Sequence, residues 1–143
     1  MKIRDLGDLE RVREEGLRRL YPEGRKVMIG TASCGIAAGA GEVKQRLAEE
    51  LERLGVDIPT VEVGCIGFCQ REPLVDVWEP GRPRVSYGNV KVEDVPRLAE
   101  AIAEGRVEKG LAAWRIDQEE FLLEDRVVRY VRDGVPDLSL IHI

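Results

Sequence analysis

The chain has 143 residues, enough to bury one core without covalent staples, and its 43% hydrophobic and 34% charged residues describe a globular polypeptide rather than a disordered or fibrous one. A formal charge of −5, with no basic patch interleaved with aromatics before the C-terminal third, argues against nucleic-acid binding. No uncharged apolar run approaches the roughly 18 to 20 residues of a membrane span, and Met1-Lys2-Ile3-Arg4-Asp5-Leu6 lacks the apolar core of a secretory signal, so the expected compartment is the cytoplasm, where thiols stay reduced.

Leu9, Val12, Leu17 and Leu20 recur at helical spacing, with Asp8 placed to cap them, and predict an amphipathic helix from Asp8 to Leu20. Tyr21-Pro22-Glu23-Gly24 stops it. The apolar run Lys26-Val27-Met28-Ile29-Gly30-Thr31 suits a buried strand, and the small-residue loop from Ala32 to Gly41 leads into a helix marked by Val43, Leu47, Leu51 and Leu54 and ended by Gly55. Thr60-Val61-Glu62-Val63 alternates as a second strand, which completes a βαβ unit.

Pro73 to Trp78 and Arg84 to Tyr87 alternate in period two around the turn Glu79-Pro80-Gly81-Arg82-Pro83 and predict a hairpin. Val92, Val95, Leu98, Ala99 and Ile102 form one face of a closing helix, with Pro96 tolerated in its first turn and Gly105 stopping it. The order β-α-β then β-β-α is that of a thioredoxin-like α/β fold with a mixed central sheet. Beyond Gly110 the pattern loosens, and Phe121, Leu122, Val128 and Val131 suggest one further, loosely packed C-terminal helix over Gln118 to Arg132.

The resulting division is an N-terminal helix (1–23), the thioredoxin-like unit (24–108), a linker or the start of a downstream domain (109–137), and a tail (138–143). The tail Leu138-Ser139-Leu140-Ile141-His142-Ile143 matches, codon by codon, one frame of a transposon mosaic-end adapter, CTG TCT CTT ATA CAC ATC. It is therefore expected to be adapter-derived, which leaves the single histidine, His142, without a role.

The three cysteines carry the chemistry. Cys34 lies in the glycine-rich loop after the first strand, and Cys65 and Cys69 lie in Gly64-Cys65-Ile66-Gly67-Phe68-Cys69, directly after the second. If those strands are neighbours, all three sulfurs reach one cavity. The glycines let backbone N–H groups approach sulfur, which suits a metal or iron–sulfur site. Inert buried thiols and thiol redox chemistry remain the alternatives, the latter without a C-x-x-C motif. Zinc would want a fourth ligand. The glycine-rich stretch lacks both G-x-G-x-x-G and a P-loop ending. Glu62, Asp76 and Glu79 read as solvated carboxylates, Trp78 and Tyr87 as packing residues, and Phe68 as a shield over whatever the thiols bind.

The stretches Gly30-Thr31-Ala32-Ser33-Cys34-Gly35-Ile36-Ala37-Ala38-Gly39-Ala40 and Gly64-Cys65-Ile66-Gly67-Phe68-Cys69, followed by Glu72-Pro73 and a Pro80-Gly81-Arg82-Pro83 turn, resemble the thioredoxin-like [2Fe-2S] ferredoxin family. Within it the likeness, over about residues 3–108, is greatest to the iron–sulfur B subunit of NADP-reducing hydrogenases and the N-terminal domain of F-type flavin subunits of NADH dehydrogenases. The resemblance implies a [2Fe-2S] cluster that relays electrons to or from a flavin and NAD(P)-binding partner among other iron–sulfur subunits, rather than a catalyst by itself. By position, Cys34, Cys65 and Cys69 match the second, third and fourth ligands of a four-cysteine pattern. The first falls at Ile29, which cannot ligate iron. Ser33, Thr31 or a partner chain then completes the site, or the domain is a cluster-free docking module or a thiol–disulfide module.

Overall fold

The computed structural model describes residues 3–20, 22–123 and 126–131. Lys26–Gly30 forms β1, buried along its whole length, flanked by β2 (Thr60–Val63), which runs parallel to it, and by β3 (Val75–Trp78), which runs antiparallel. The hairpin continues into β4 (Arg84–Tyr87), giving a mixed sheet in the order β2-β1-β3-β4-β5. The fifth strand, β5 (Ala112–Ile116), pairs antiparallel with β4 and is an element the sequence did not announce. All five of its residues are half-buried, so it carries no alternation to read.

Alternation along the strands divides the sheet into two faces. Val27 and Ile29 of β1, Val75 of β3 and Val85 and Tyr87 of β4 enter one core with Val43, Leu47 and Leu51 of the helix Ala40–Arg53 and Leu98, Ala99 and Ile102 of the helix Val95–Glu104. These helices, the third and fourth of the chain, are α3 and α4. The first and second are α1 (Leu6–Leu20) and a short α2 (Ser33–Ala37). Trp78 and Tyr87 are buried packing residues, as expected. Glu50 is also buried on α3, held by Arg46 and Arg53 at 2.6 and 2.7 Å. Both α3 and α4 end before a glycine with positive φ, Gly55 and Gly105.

Several expectations need correction. The N-terminal helix starts at Leu6, and Asp5 is its cap: the Asp8 N–H donates to Asp5 Oδ1 at 2.9 Å, while Asp8 Oδ2 accepts the Arg4 N–H at 2.9 Å. Its apolar stripe stays open, with Leu6 78% and Leu9 50% exposed. The loop after β1 contains the helical turn α2. The C-terminal helix is absent among the described residues; β6 (Gln118–Leu123) and β7 (Arg126–Val131) form an antiparallel hairpin instead, with Glu120 opposite Arg129. Val127, Val128, Tyr130 and Val131 are β-branched or aromatic, and that preference overrides the helical spacing of the apolar anchors. Residues 132–143, including the tail, lie outside the described residues.

Of the carboxylates read as solvated, Glu62 is exposed, whereas Glu79 and Asp76 are half-buried. Glu79 bonds Arg25 and Arg82, Glu62 pairs with Lys44, and burial pushes the Asp76 carboxyl above its usual value. No helix among the described residues is long and apolar enough to cross a membrane.

Candidate metal centre

The parallel pairing of β1 with β2 decides where the thiols meet. Gly30 lies opposite Val63, and the Thr31 N–H donates to the Val63 carbonyl at 3.0 Å, so both strands end at one level. Cys34 follows on α2 and Cys65 two residues beyond Val63. Their sulfurs and that of Cys69, which opens a 3-10 turn over Cys69–Arg71, all lie within 4.8 Å of one another. All three are free thiols; Cys34 is half-buried and the other two are exposed.

Close approach at this end of the sheet depends on glycine. A Cβ on Gly35 would overlap the Gly30 carbonyl oxygen, so α2 can sit against the end of β1 only without a side chain there. Gly67 has φ 89°, a left-handed value that turns its N–H onto Cys65 Sγ at 3.2 Å. Cys65 and Cys69 are 3.5 Å apart, sulfur to sulfur.

The electrostatics follow from these contacts. The Gly67 N–H, and then the Cys34 and Cys69 thiols, hold Cys65 below the usual thiol range, while Cys34, hydrogen-bonded to Cys65 and partly desolvated, is pushed up to about 11. One thiolate forms readily and its neighbours supply protons to it. A cation replacing those protons would take three soft donors at once.

Phe68 is half-buried within the thiol loop. Its ring packs on Trp114 of β5, centroids 5.1 Å apart at 44°, and ties the cysteine loop to the sheet. Ile66 and Ile36 are the apolar residues left exposed beside the thiols, at 58% and 55%. Ile29 is fully buried in the core, so the place that the family resemblance gave to a first ligand belongs to packing. Among the described residues, neither Thr31 nor Ser33 hydrogen-bonds a thiol.

The residue that sequence reasoning passed over is Glu72. It is 6% exposed, its Oε2 accepts the Leu74 N–H at 2.9 Å, and its Oε1 lies 3.9 Å from Cys34 Sγ. The Glu72–Pro73 bond is cis. The only hint was the Glu72-Pro73 pair soon after Cys69.

Three thiols, an N–H donor on one of them and a loop whose Gly64 and Gly67 face open space fit the thiolate ligation of an iron–sulfur cluster. The comparisons agree with that fit. The chain is 30% identical over 105 residues to the NADP-reducing hydrogenase subunit HndB of Solidesulfovibrio fructosivorans, a match covering 71% of this chain and 81% of that protein. The chain belongs to the HndB family. A thioredoxin-like [2Fe-2S] ferredoxin from Aquifex aeolicus superposes with a TM-score of 0.56 and 25% identity, covering 65% of this chain and 93% of that one. A second structure of the Aquifex aeolicus ferredoxin, the wild type, gives 0.54 at 25% identity over 63% and 96%. No family model matches the chain. The fold of this HndB relative is thioredoxin-like, as its element order implied.

Proposed function

We propose that this chain is the electron-transfer iron–sulfur module of an NAD(P)-linked oxidoreductase complex of the hydrogenase or NADH dehydrogenase type. Cys34, Cys65 and Cys69 hold a [2Fe-2S] cluster at the end of β1 and β2, and the observation that carries this is the convergence of their three sulfurs within 4.8 Å. Such a cluster supplies one-electron transfer. The protein's own part is to aim three thiols at one point, to favour the Cys65 thiolate through the Gly67 N–H, and to brace the loop through Phe68 on Trp114. The relative's description as a hydrogenase subunit supports partner subunits; the flavin and NAD(P)-binding one is the partner we assign, in the cytoplasm.

Anaerobic purification with iron and sulfide quantification, and EPR of the reduced protein, test this. Two irons and two sulfides per chain with an S = 1/2 signal are expected, as the [2Fe-2S] formula requires; an iron-free protein overturns it. The 3.5 Å separation of Cys65 and Cys69 favours a thiol–disulfide module as the second reading. It predicts reversible oxidation of that pair without iron, and it leaves Cys34 without a task.

A further inference from the structure

Three cysteines fill three of the four terminal positions of a [2Fe-2S] cluster, in which each iron takes two protein donors. We infer that Glu72 is the fourth ligand, beside Cys34, Cys65 and Cys69. The inference rests on the cluster reading given above and names the donor that reading lacks.

The argument starts from burial. Glu72 is more than nine-tenths buried, and its described partners are the Leu74 N–H and the Cys34 thiol. A buried polar group of this kind needs a partner for each of its oxygens. Its environment holds it at the thiols. The carboxylate fills space vacated by two glycines: a Cβ on Gly30 would lie 3.0 Å from both of its oxygens, and one on Gly35 3.3 Å from Oε2. Oε2 is occupied by the Leu74 N–H, whereas Oε1 has Cys34 Sγ as its described partner. One oxygen is anchored and the other is presented to the site.

Glu72 Oε1 lies from Cys34 Sγ at about the separation of two donors on one metal. Two donors on one tetrahedral metal are separated by about 3.5 to 3.8 Å when the bonds are those of thiolate sulfur and carboxylate oxygen. Cys65 and Cys69 are 3.5 Å apart, and Cys34 and Glu72 Oε1 are 3.9 Å apart. A carboxylate also carries the same single negative charge as the thiolate it replaces, so the cluster's net charge is unchanged. The hydroxyls of Thr31 and Ser33 are poorer donors, because each would have to lose a proton that it holds far above neutral pH.

The test uses full-length chain reconstituted anaerobically with 57Fe and sulfide, read by Mössbauer spectroscopy and by EPR, and compared with Glu72→Cys and Glu72→Ala. An oxygen donor makes the two ferric sites inequivalent, so the native protein is expected to show two distinct quadrupole doublets. Glu72→Cys is expected to keep both irons and merge the doublets toward one all-thiolate type. Glu72→Ala should lose iron to a chelator roughly tenfold faster or more. If Glu72→Ala fails to fold, the native spectrum and that of Glu72→Cys decide the matter alone. Equivalent ferric sites in the native protein, or a Glu72→Ala protein with native spectra and iron retention, overturn the ligand while leaving the cluster standing. A native protein that takes up no iron overturns both.

Discussion

Gly35 of α2 rests so closely on the carbonyl oxygen of Gly30 at the end of β1 that even a methyl group between them has no room. The backbone oxygen cannot swing aside as a flexible side chain would, because the Gly30 N–H is bonded to Leu74 and the Thr31 N–H to Val63. Gly35→Ala should therefore displace α2, and Cys34 with it. Overpacking of this kind costs about 1 to 3 kcal/mol. Urea denaturation should show that modest loss, while iron retention falls far more if Cys34 is the ligand proposed above.

The thiols of the metal-free protein should differ in reactivity. Cys65, lowered from the ordinary value of 9.0, carries more thiolate than a free cysteine at about pH 8. Cys34, pushed up to about 11, stays protonated there. Timed alkylation followed by peptide mass spectrometry should mark Cys65 well before Cys34, and Cys34 labelling should rise only at strongly alkaline pH. Equal rates for the two would contradict the hydrogen-bond pattern. Because bound thiols must shed these protons, metal uptake should weaken as pH falls.

Placing a thiol at residue 29 should not repair the site. Ile29 is wholly buried among Val27, Val75 and Leu47, so a cysteine there meets apolar neighbours and leaves a small void. Ile29→Cys is expected to cost about 1 to 3 kcal/mol. Thermal melts should record that loss, and the EPR spectrum of the reduced protein should remain that of the native chain.

Phe68→Ala removes the ring that joins the cysteine loop to Trp114. The aromatic pair contributes about 1 kcal/mol beyond its buried area. Chelator-driven bleaching should accelerate several-fold, with little change in the spectrum itself, because the loop loosens without losing a donor.

Much of this architecture was legible in the residues. Period two along Val75–Trp78 and Arg84–Tyr87, and the apolar faces of α3 and α4, marked the elements whose burial is set by their own pattern. The meeting of Cys34 with Cys65 followed from the βαβ unit. Other features were invisible for physical reasons. A helix as short as α2 carries too few residues to show a period. Glu72 looks like any polar loop residue, and what buries it is the absence of side chains at Gly30 and Gly35, distant in the chain. In Gln118–Val131 the apolar residues satisfy a helical count, but Val127, Val128, Tyr130 and Val131 are residue types that favour a strand.

The pairing of Gly30 with Val63 has a consequence for how the chain folds. A slip of one residue between β1 and β2 would carry Cys65 about 3.3 Å along the strand and turn its side chain to the opposite face. Cys34 and Cys65 would then no longer converge. The metal centre proposed across these two strands would work as a gauge of their alignment: only chains with the correct register could load it, and once loaded it would hold that register against slippage.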